Sequence, residues 1–252
     1  MKRRLSQIKN KKKFLFFLGI YCILLIIDMK CPRCNNEDEE YFYHGSKGWY
    51  CRKCIRFKRI LLSEELTPYP LDEVTEEVSP YLSYELTDFQ KEISKQLCAS
   101  VFKEDVLLHC VCGAGKTEIV LEAISAALNR GCKVAYAISR RQVVLELSER
   151  FKIIFPNLKV IAVCQGFTNE LSGDLIVCTT HQLYRYPETF DLLIIDEPDA
   201  FPFKGDETLW NIAHTSCKGH VIYSTATLDQ QMNKVKEKGR YLCLNRRPHL
   251  YP

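Results

Sequence analysis

The sequence predicts an α/β domain, a parallel sheet with helices on both faces, preceded by a small cysteine-paired unit. Three observations lead there. At 252 residues, with 46% hydrophobic and 26% charged side chains, the chain has apolar material for one full core and a small satellite. From Leu86 onward, short apolar runs recur at Val106–Cys112, Lys133–Ser139, Lys159–Cys164, Asp174–Thr180, Asp191–Glu197 and His220–Thr227. Separated by stretches of helical spacing, such as Val143, Val144, Leu147 and Phe151, they read as buried parallel strands. Upstream of them, four cysteines fall in two close pairs.

Charge and cysteine content exclude some classes. Seven Lys/Arg against one Asp give residues 1–28 a local charge of +6; the whole chain carries +4, which leaves −2 for the rest. Nucleic-acid binding would therefore have to come from local patches. Most of the 13 cysteines are scattered through apolar runs, which fits a reduced compartment better than a disulfide scaffold.

Residues 1–28 form a basic and apolar extension. After Lys11, Lys12 and Lys13, the apolar run from Phe14 to Ile27 is shorter than the ~20 residues a spanning helix needs, and no small-residue cleavage site follows it. Two readings remain, a membrane-surface anchor or an upstream extension whose true start is Met29, and the second is favoured.

Residues 29–60 hold Cys31, Cys34, Cys51 and Cys54, two Cys-x2-Cys pairs 16 residues apart. That spacing lets four thiolates converge on one tetrahedral Zn2+, a closed and therefore structural site. His44, between the pairs, is read as an ordinary polar residue. Arg52, Lys53, Arg56, Lys58 and Arg59 interleave with Trp49, Tyr50 and Phe57, a mixture that suits phosphates and unstacked bases; a solvated face is the equal alternative. Residues 61–85, acidic and punctuated by Pro68, Pro70 and Pro80, read as a linker.

Beyond the linker, Gly113-Ala114-Gly115-Lys116-Thr117 lies between an apolar strand and a helix expected over Glu118 to Leu128. A glycine-rich turn at a helix N-terminus cradles phosphates. Lys116 would reach the β- and γ-phosphates and Thr117 would ligate Mg2+. Cys110 stands where the strict pattern has Gly. Asp196 and Glu197 close another apolar strand, where a carboxylate becomes the second Mg2+ ligand and its neighbour polarises the attacking water.

Taken in order, these segments resemble superfamily 2 helicases, and within them the late competence ComFA family, over residues 31–248. The resemblance rests on the paired-cysteine finger, Leu86-Thr87-Asp88-Phe89-Gln90, Cys112 to Glu118, Ser139-Arg140, Thr179-Thr180-His181-Gln182-Leu183, Asp191 to Phe203, Ser224-Thr225-Ala226-Thr227 and Arg246-Arg247-Pro248-His249. It implies a RecA-like P-loop NTPase domain over 86–252 that binds ATP with Mg2+. Gln90 would read adenine, and Gly113, Ala114, Gly115, Lys116, Thr117 and Glu118 would hold the nucleotide. Lys116, Asp196 and Glu197 would be catalytic. Arg140, Thr179, Thr180 and His181 would contact single-stranded DNA, joined by Arg56 of the finger. Thr225, Ala226 and Thr227 would couple nucleotide state to DNA. Ser139 stands where the family has Pro, and Pro198 replaces a small apolar residue.

Because three residues follow His249, a second RecA-like domain is expected to be absent from this chain. An arginine finger from such a domain is worth ~10³–10⁵ in rate, so the chain is expected to bind ATP and turn it over slowly unless a second domain acts in trans or the chain self-associates. The first functional reading is a cytoplasmic DNA-dependent ATPase of DNA uptake during competence, at the inner face of the membrane if residues 1–28 anchor it, working with an uptake channel or other competence proteins. The alternatives are a non-catalytic DNA- or partner-binding module, and a PriA-like replication-restart helicase fragment. In PriA-like proteins the zinc-binding cysteines lie within the C-terminal half, whereas here they precede the motor.

Overall fold

The chain divides into two units, Met1–Lys30 and Cys31–Pro252. The computed structural model describes residues 29–248, and every element named below belongs to the second unit. The 1–28 extension and His249 lie outside the described residues. No helix among the described residues is long and apolar enough to cross a membrane.

The finger is built on an antiparallel hairpin, β1 (Phe42–Gly45) and β2 (Gly48–Cys51), paired Phe42 to Cys51 and Gly45 to Gly48. A hairpin this short is not stable alone in water. Its apolar content is small, chiefly Phe42, Phe57 and Ile60, so its shape depends on what the cysteines hold.

Residues 62–87 contain no helix or strand, yet they are fastened to the larger domain at several points. The Tyr69 amide donates to Thr189 Oγ1, Val78 exchanges two hydrogen bonds with the Asn129 side chain, and the Tyr81 amide donates to the Ile154 carbonyl. Val78 itself is buried. The segment expected as a linker is therefore a strap laid on the domain.

The domain is a seven-stranded, wholly parallel sheet in the order β5-β6-β4-β7-β8-β3-β9. Its strands are β3 (Val106–Cys110), β4 (Val134–Ile138), β5 (Val160–Val163), β6 (Leu175–Thr179), β7 (Phe190–Asp196), β8 (Cys217–Thr225) and β9 (Arg240–Leu244). The helices are α1 (Asp88–Ser100), α2 (Lys116–Leu128), α3 (Arg141–Ile154), α4 (Glu207–Ser216) and α5 (Gln230–Lys238). Leu108, Tyr136, Val177, Ile194 and Ile222 join one core with α1, α2 and α3. Their strand neighbours Leu107, Ala135, Leu193 and Tyr223 are equally buried on the other face, where α4 packs on β8 and α5 on β3. Burial on both faces is why these strands read as continuous apolar runs.

β9 was not among the expected strands. It is a five-residue edge strand that directly follows Gly239, with Arg240 exposed and Leu242 and Leu244 buried, and its short apolar run, 241–244, leads straight into Asn245, Arg246 and Arg247.

Candidate functional site

The C-terminal ends of β3, β8, β7 and β4 lie side by side: Leu108 pairs with Ser224, Ser224 with Asp196 and Asp196 with Ile138. In open parallel sheets this edge is where ligands bind. The turn after β3 carries Gly113 and Gly115 at φ +78° and +80°, a region that only glycine enters without strain. A Cβ on Gly115 would sit 2.4 Å from Gln90 Nε2. The loop leads directly into α2, whose first residue is Lys116.

Lys116 Nζ lies 3.9 Å from Asp196 Oδ1. The other carboxylate oxygen of Asp196 accepts a 2.8 Å hydrogen bond from the hydroxyl of Tyr136. Burial, with the charge of Asp196 beside it, pushes the Tyr136 hydroxyl well above its usual range, so it stays a donor. Asp196 Oδ1 is buried without a hydrogen-bond partner. So are the hydroxyls of Ser139, Thr180 and Ser224, and all four groups stand at the C-terminal ends of strands β4, β6, β7 and β8. Leaving a buried polar group unpaired costs about 1–3 kcal/mol, and such groups gather at functional sites. A bare carboxylate oxygen facing a lysine and a glycine-lined loop fits a divalent cation. Glu197, next in sequence, adopts φ +52° and anchors its amide on the Ser224 carbonyl; strain of this kind in a non-glycine residue is another mark of a functional site.

The carboxamide of Gln90 is committed. Its Oε1 accepts from the amide and hydroxyl of Thr87, closing the capping box that starts α1, and its Nε2 donates to the Ala114 carbonyl at 2.9 Å. Glu118, on the first turn of α2, accepts from Tyr84 of the strap at 2.8 Å and from Arg150 of α3. Burial works against its charge, yet these two bonds outweigh it and hold the carboxyl below its usual range. Glu118 therefore ties the strap, the glycine-rich loop and α3 together.

Asp199 accepts from Thr225 at 2.7 Å and from Thr227. Ala226, between them, offers its carbonyl to His109 Nε2 at 3.2 Å, while His109 Nδ1 meets the Tyr241 hydroxyl. Sequence reasoning missed Tyr136, Arg150, Tyr84 and His109 as parts of the site. A tyrosine within an apolar strand carries no signal that its hydroxyl reaches a carboxylate 60 positions away.

Of the expected DNA contacts, Arg140, Thr179, Thr180 and His181 follow the ends of the paired strands β4 and β6, with different exposures. Arg140 is exposed at the start of α3, whereas the side chains of Thr179 and Thr180 are buried. His181 packs against Phe57 of the finger; burial first, and then the charge of Arg56, push its pKa down.

In the finger, the four cysteine sulfurs lie within 4.8 Å of one another, all buried, with Cys31 to Cys54 at 3.7 Å and Cys34 to Cys51 at 3.8 Å. A tetrahedron with metal–sulfur bonds of 2.3 Å has edges of about 3.8 Å, so the donor set fits one zinc ion. His44 stands outside the cluster, its ring edge-on to Trp49. Part of the basic cluster is spent on docking. Lys53 pairs with Glu207 at 2.6 Å, Arg56 pairs with Asp206, and Asn211 donates to the Cys34 carbonyl. Phe57 is buried against His181 and Tyr184.

Residues 83–230 match the family described as Type III restriction enzyme, res subunit. Competence protein ComFA of Bacillus subtilis (strain 168) is 36% identical over 225 residues, which cover 84% of this chain and 48% of that protein. Competence protein ComFA of Streptococcus pneumoniae is 35% identical over 219 residues, covering 85% and 50%. The chain thus spans about half the length of the curated relatives it matches. Among solved structures, the UvsW helicase from bacteriophage T4 is similar with a TM-score of 0.49 at 15% identity, covering 67% of this chain and 64% of that one. The chain belongs to the Type III restriction enzyme, res subunit family of helicase-type motor domains, and it is similar to the ComFA competence proteins over most of its length.

Proposed function

We infer that the chain is the ATP-binding half of a DNA motor that acts in DNA uptake during competence. One observation carries the reading: unpaired buried polar groups, Asp196 Oδ1 among them, cluster at the strand ends beside a glycine-lined loop and Lys116. In this reading the loop amides from Gly113 to Thr117 and the ammonium of Lys116 hold the triphosphate of ATP. Thr117 and Asp196 hold Mg2+, which supplies charge neutralisation at the phosphates. Glu197 orients and deprotonates the attacking water. Asp199, Thr225 and Thr227 carry the state of this site to the DNA-binding edge.

Arg140 and the turn at Thr179, Thr180 and His181 form that edge, with the Thr179 and Thr180 contacts made through the backbone because their side chains are enclosed. Arg56, shared with Asp206, adds charge beside it. The finger holds a structural Zn2+ and braces the His181 turn. A transition-state charge supplied by a second RecA-like domain would speed turnover. The expected setting is cytoplasmic, with an uptake channel or other competence proteins as partners.

The test is ATP turnover by the full chain with and without single-stranded DNA, for wild type and Lys116→Ala, with metal analysis. The reading expects ATP binding, DNA-stimulated turnover, loss of both in Lys116→Ala, and one zinc per chain. Absence of ATP binding in a folded, zinc-loaded wild-type chain would leave a DNA- or partner-binding module as the function.

A further inference from the structure

Docking uses only part of the finger's basic cluster. Lys53 and Arg56 pair with Glu207 and Asp206, and Phe57 is buried against His181. Arg52 and Arg59 are exposed, and neither has a carboxylate partner among the described residues. The finger's own acids, Glu37, Asp38, Glu39 and Glu40, all precede β1 and answer neither charge.

Both unpaired guanidiniums lie over tyrosine rings on one face of the hairpin. The register sets Tyr43 opposite Tyr50 and Phe42 opposite Cys51; successive side chains alternate, so the two tyrosines point away from the buried Phe42 and Cys51. Their ring centroids are 5.6 Å apart, edge to face, and Tyr43 is 52% exposed. Arg52 extends β2, its amide donating to the Tyr41 carbonyl at 2.7 Å, and its guanidinium lies 5.9 Å from the Tyr43 centroid. Leu61 bridges to Tyr50 and the Leu62 amide donates to the Trp49 carbonyl at 2.8 Å, which lays the returning chain along β2 and brings the Arg59 guanidinium 4.6 Å from the Tyr50 centroid.

We propose that Tyr43, Tyr50, Arg52 and Arg59 form a stacking platform on the finger for the unpaired bases of single-stranded DNA. The proposal rests on the DNA-motor reading above and adds a second contact surface, outside the sheet domain. The buried core of a protein interface is depleted of charged residues, whereas here each ring is met by a guanidinium that lacks a counter-ion. A single strand answers both needs: its phosphates pair the arginines, and its bases offer π faces to the tyrosines whatever their sequence. Phe57 joins the finger to His181, on the turn that the motor reading assigns to the DNA edge, so the finger is the neighbouring surface for a strand held there. Duplex DNA keeps its bases stacked inside and gives the tyrosines nothing to grip.

The test measures equilibrium binding of a labelled oligothymidylate, and of an abasic strand of equal length, to the full chain across a range of salt. Wild type is compared with Tyr43→Ala, Tyr43→Trp, Arg52→Ala, Arg59→Ala and Arg140→Ala, each carrying one zinc per chain; if Tyr43→Ala fails to hold zinc, Arg52→Ala at its exposed position decides. The platform predicts that Tyr43→Ala weakens oligothymidylate binding roughly tenfold and leaves abasic binding unchanged, while Tyr43→Trp keeps both. Removing either arginine should weaken both strands and reduce the slope of log affinity against log salt by about 0.7. Wild-type affinity in Tyr43→Ala, Arg52→Ala and Arg59→Ala, with a loss in Arg140→Ala, overturns the platform, leaves the DNA edge of the motor standing and turns the finger's face over to a protein partner. A wild-type chain that binds neither strand overturns the DNA-motor reading, and the platform falls with it.

Discussion

The hydroxyl of Thr225, at the end of β8, donates to Asp199 at 2.7 Å, which fastens one strand end to the segment that follows the acidic pair on another. Thr225 is fully buried. Burial opposes the charge on Asp199, but the hydrogen bonds from Thr227 and Thr225 outweigh it and keep the carboxyl ionised below its usual range. Loss of a hydrogen bond to a charged group costs about 1.5–3 kcal/mol, which is about tenfold or more in an equilibrium or a rate. Thr225→Ala is therefore expected to lower DNA-stimulated ATP turnover about tenfold while ATP affinity stays near wild type. Titrations of turnover against single-stranded DNA check this; an equal loss of ATP affinity would place Thr225 in the nucleotide site instead of in the coupling path.

Gly115 is the tightest point of the glycine-rich loop. Alanine there meets Gln90 Nε2 at 2.4 Å and must hold φ near +80°, a conformation that costs an L-residue about 1–2 kcal/mol. Gly115→Ala is expected to abolish measurable ATP binding while lowering unfolding stability by only about that amount. Calorimetric binding beside a thermal melt separates the two effects.

Glu118 supplies a pH prediction. Its folded-state pKa lies below the usual 4.5, so the unfolded chain takes up the proton first as pH falls. The stability from its bonds to Tyr84 and Arg150 is complete above about pH 4.5 and is lost as pH falls through the depressed folded value. Glu118→Gln should be less stable than wild type at pH 7, and the gap should narrow on acidification below 4.5. A gap that stays constant from pH 7 to pH 3 would mean that the carboxylate charge contributes nothing.

The cysteine cluster stands in for the core that the finger lacks. Cys51→Ser is expected to lose stoichiometric zinc and to open the finger to trypsin at Arg52, Lys53, Arg56, Lys58 and Arg59, since structural zinc binding is itself folding free energy. The sheet domain, whose core excludes the finger, should remain resistant. Peptide mapping of a short digestion decides the matter, and a finger that stays resistant without metal would show that docking by Phe57 and Asn211 is sufficient.

Much of the fold was legible because burial on both sheet faces writes itself into the chain as uninterrupted apolar runs, as at β4 and β7. β9 escaped notice because its short apolar run, 241–244, is set between Lys238-Gly239-Arg240 and Asn245-Arg246-Arg247. The cysteine pairs and the glycine-rich loop were visible through local spacing alone. What spacing could not show was how long-range partners would share out the side chains: Arg56 and Lys53 to the N-terminal end of α4, Gln90 to Ala114, Tyr136 to Asp196. Each joins positions brought together only by the tertiary fold, and each changes what the residue has left to offer a ligand. The strap is a similar case, since the prolines and acids of 61–85 gave no sign that Val78 would be buried against the domain.

The central claim is a Mg-ATP site built on Lys116 and Asp196, and the most direct measurement is calorimetric titration of the full chain with ATP in the presence and absence of Mg2+, for wild type, Lys116→Ala and Asp196→Asn. The account predicts Mg2+-dependent binding to wild type, loss of binding in Lys116→Ala, and ATP binding by Asp196→Asn that no longer responds to Mg2+. Equal ATP affinity in all three folded proteins, or wild-type binding indifferent to Mg2+, would contradict it.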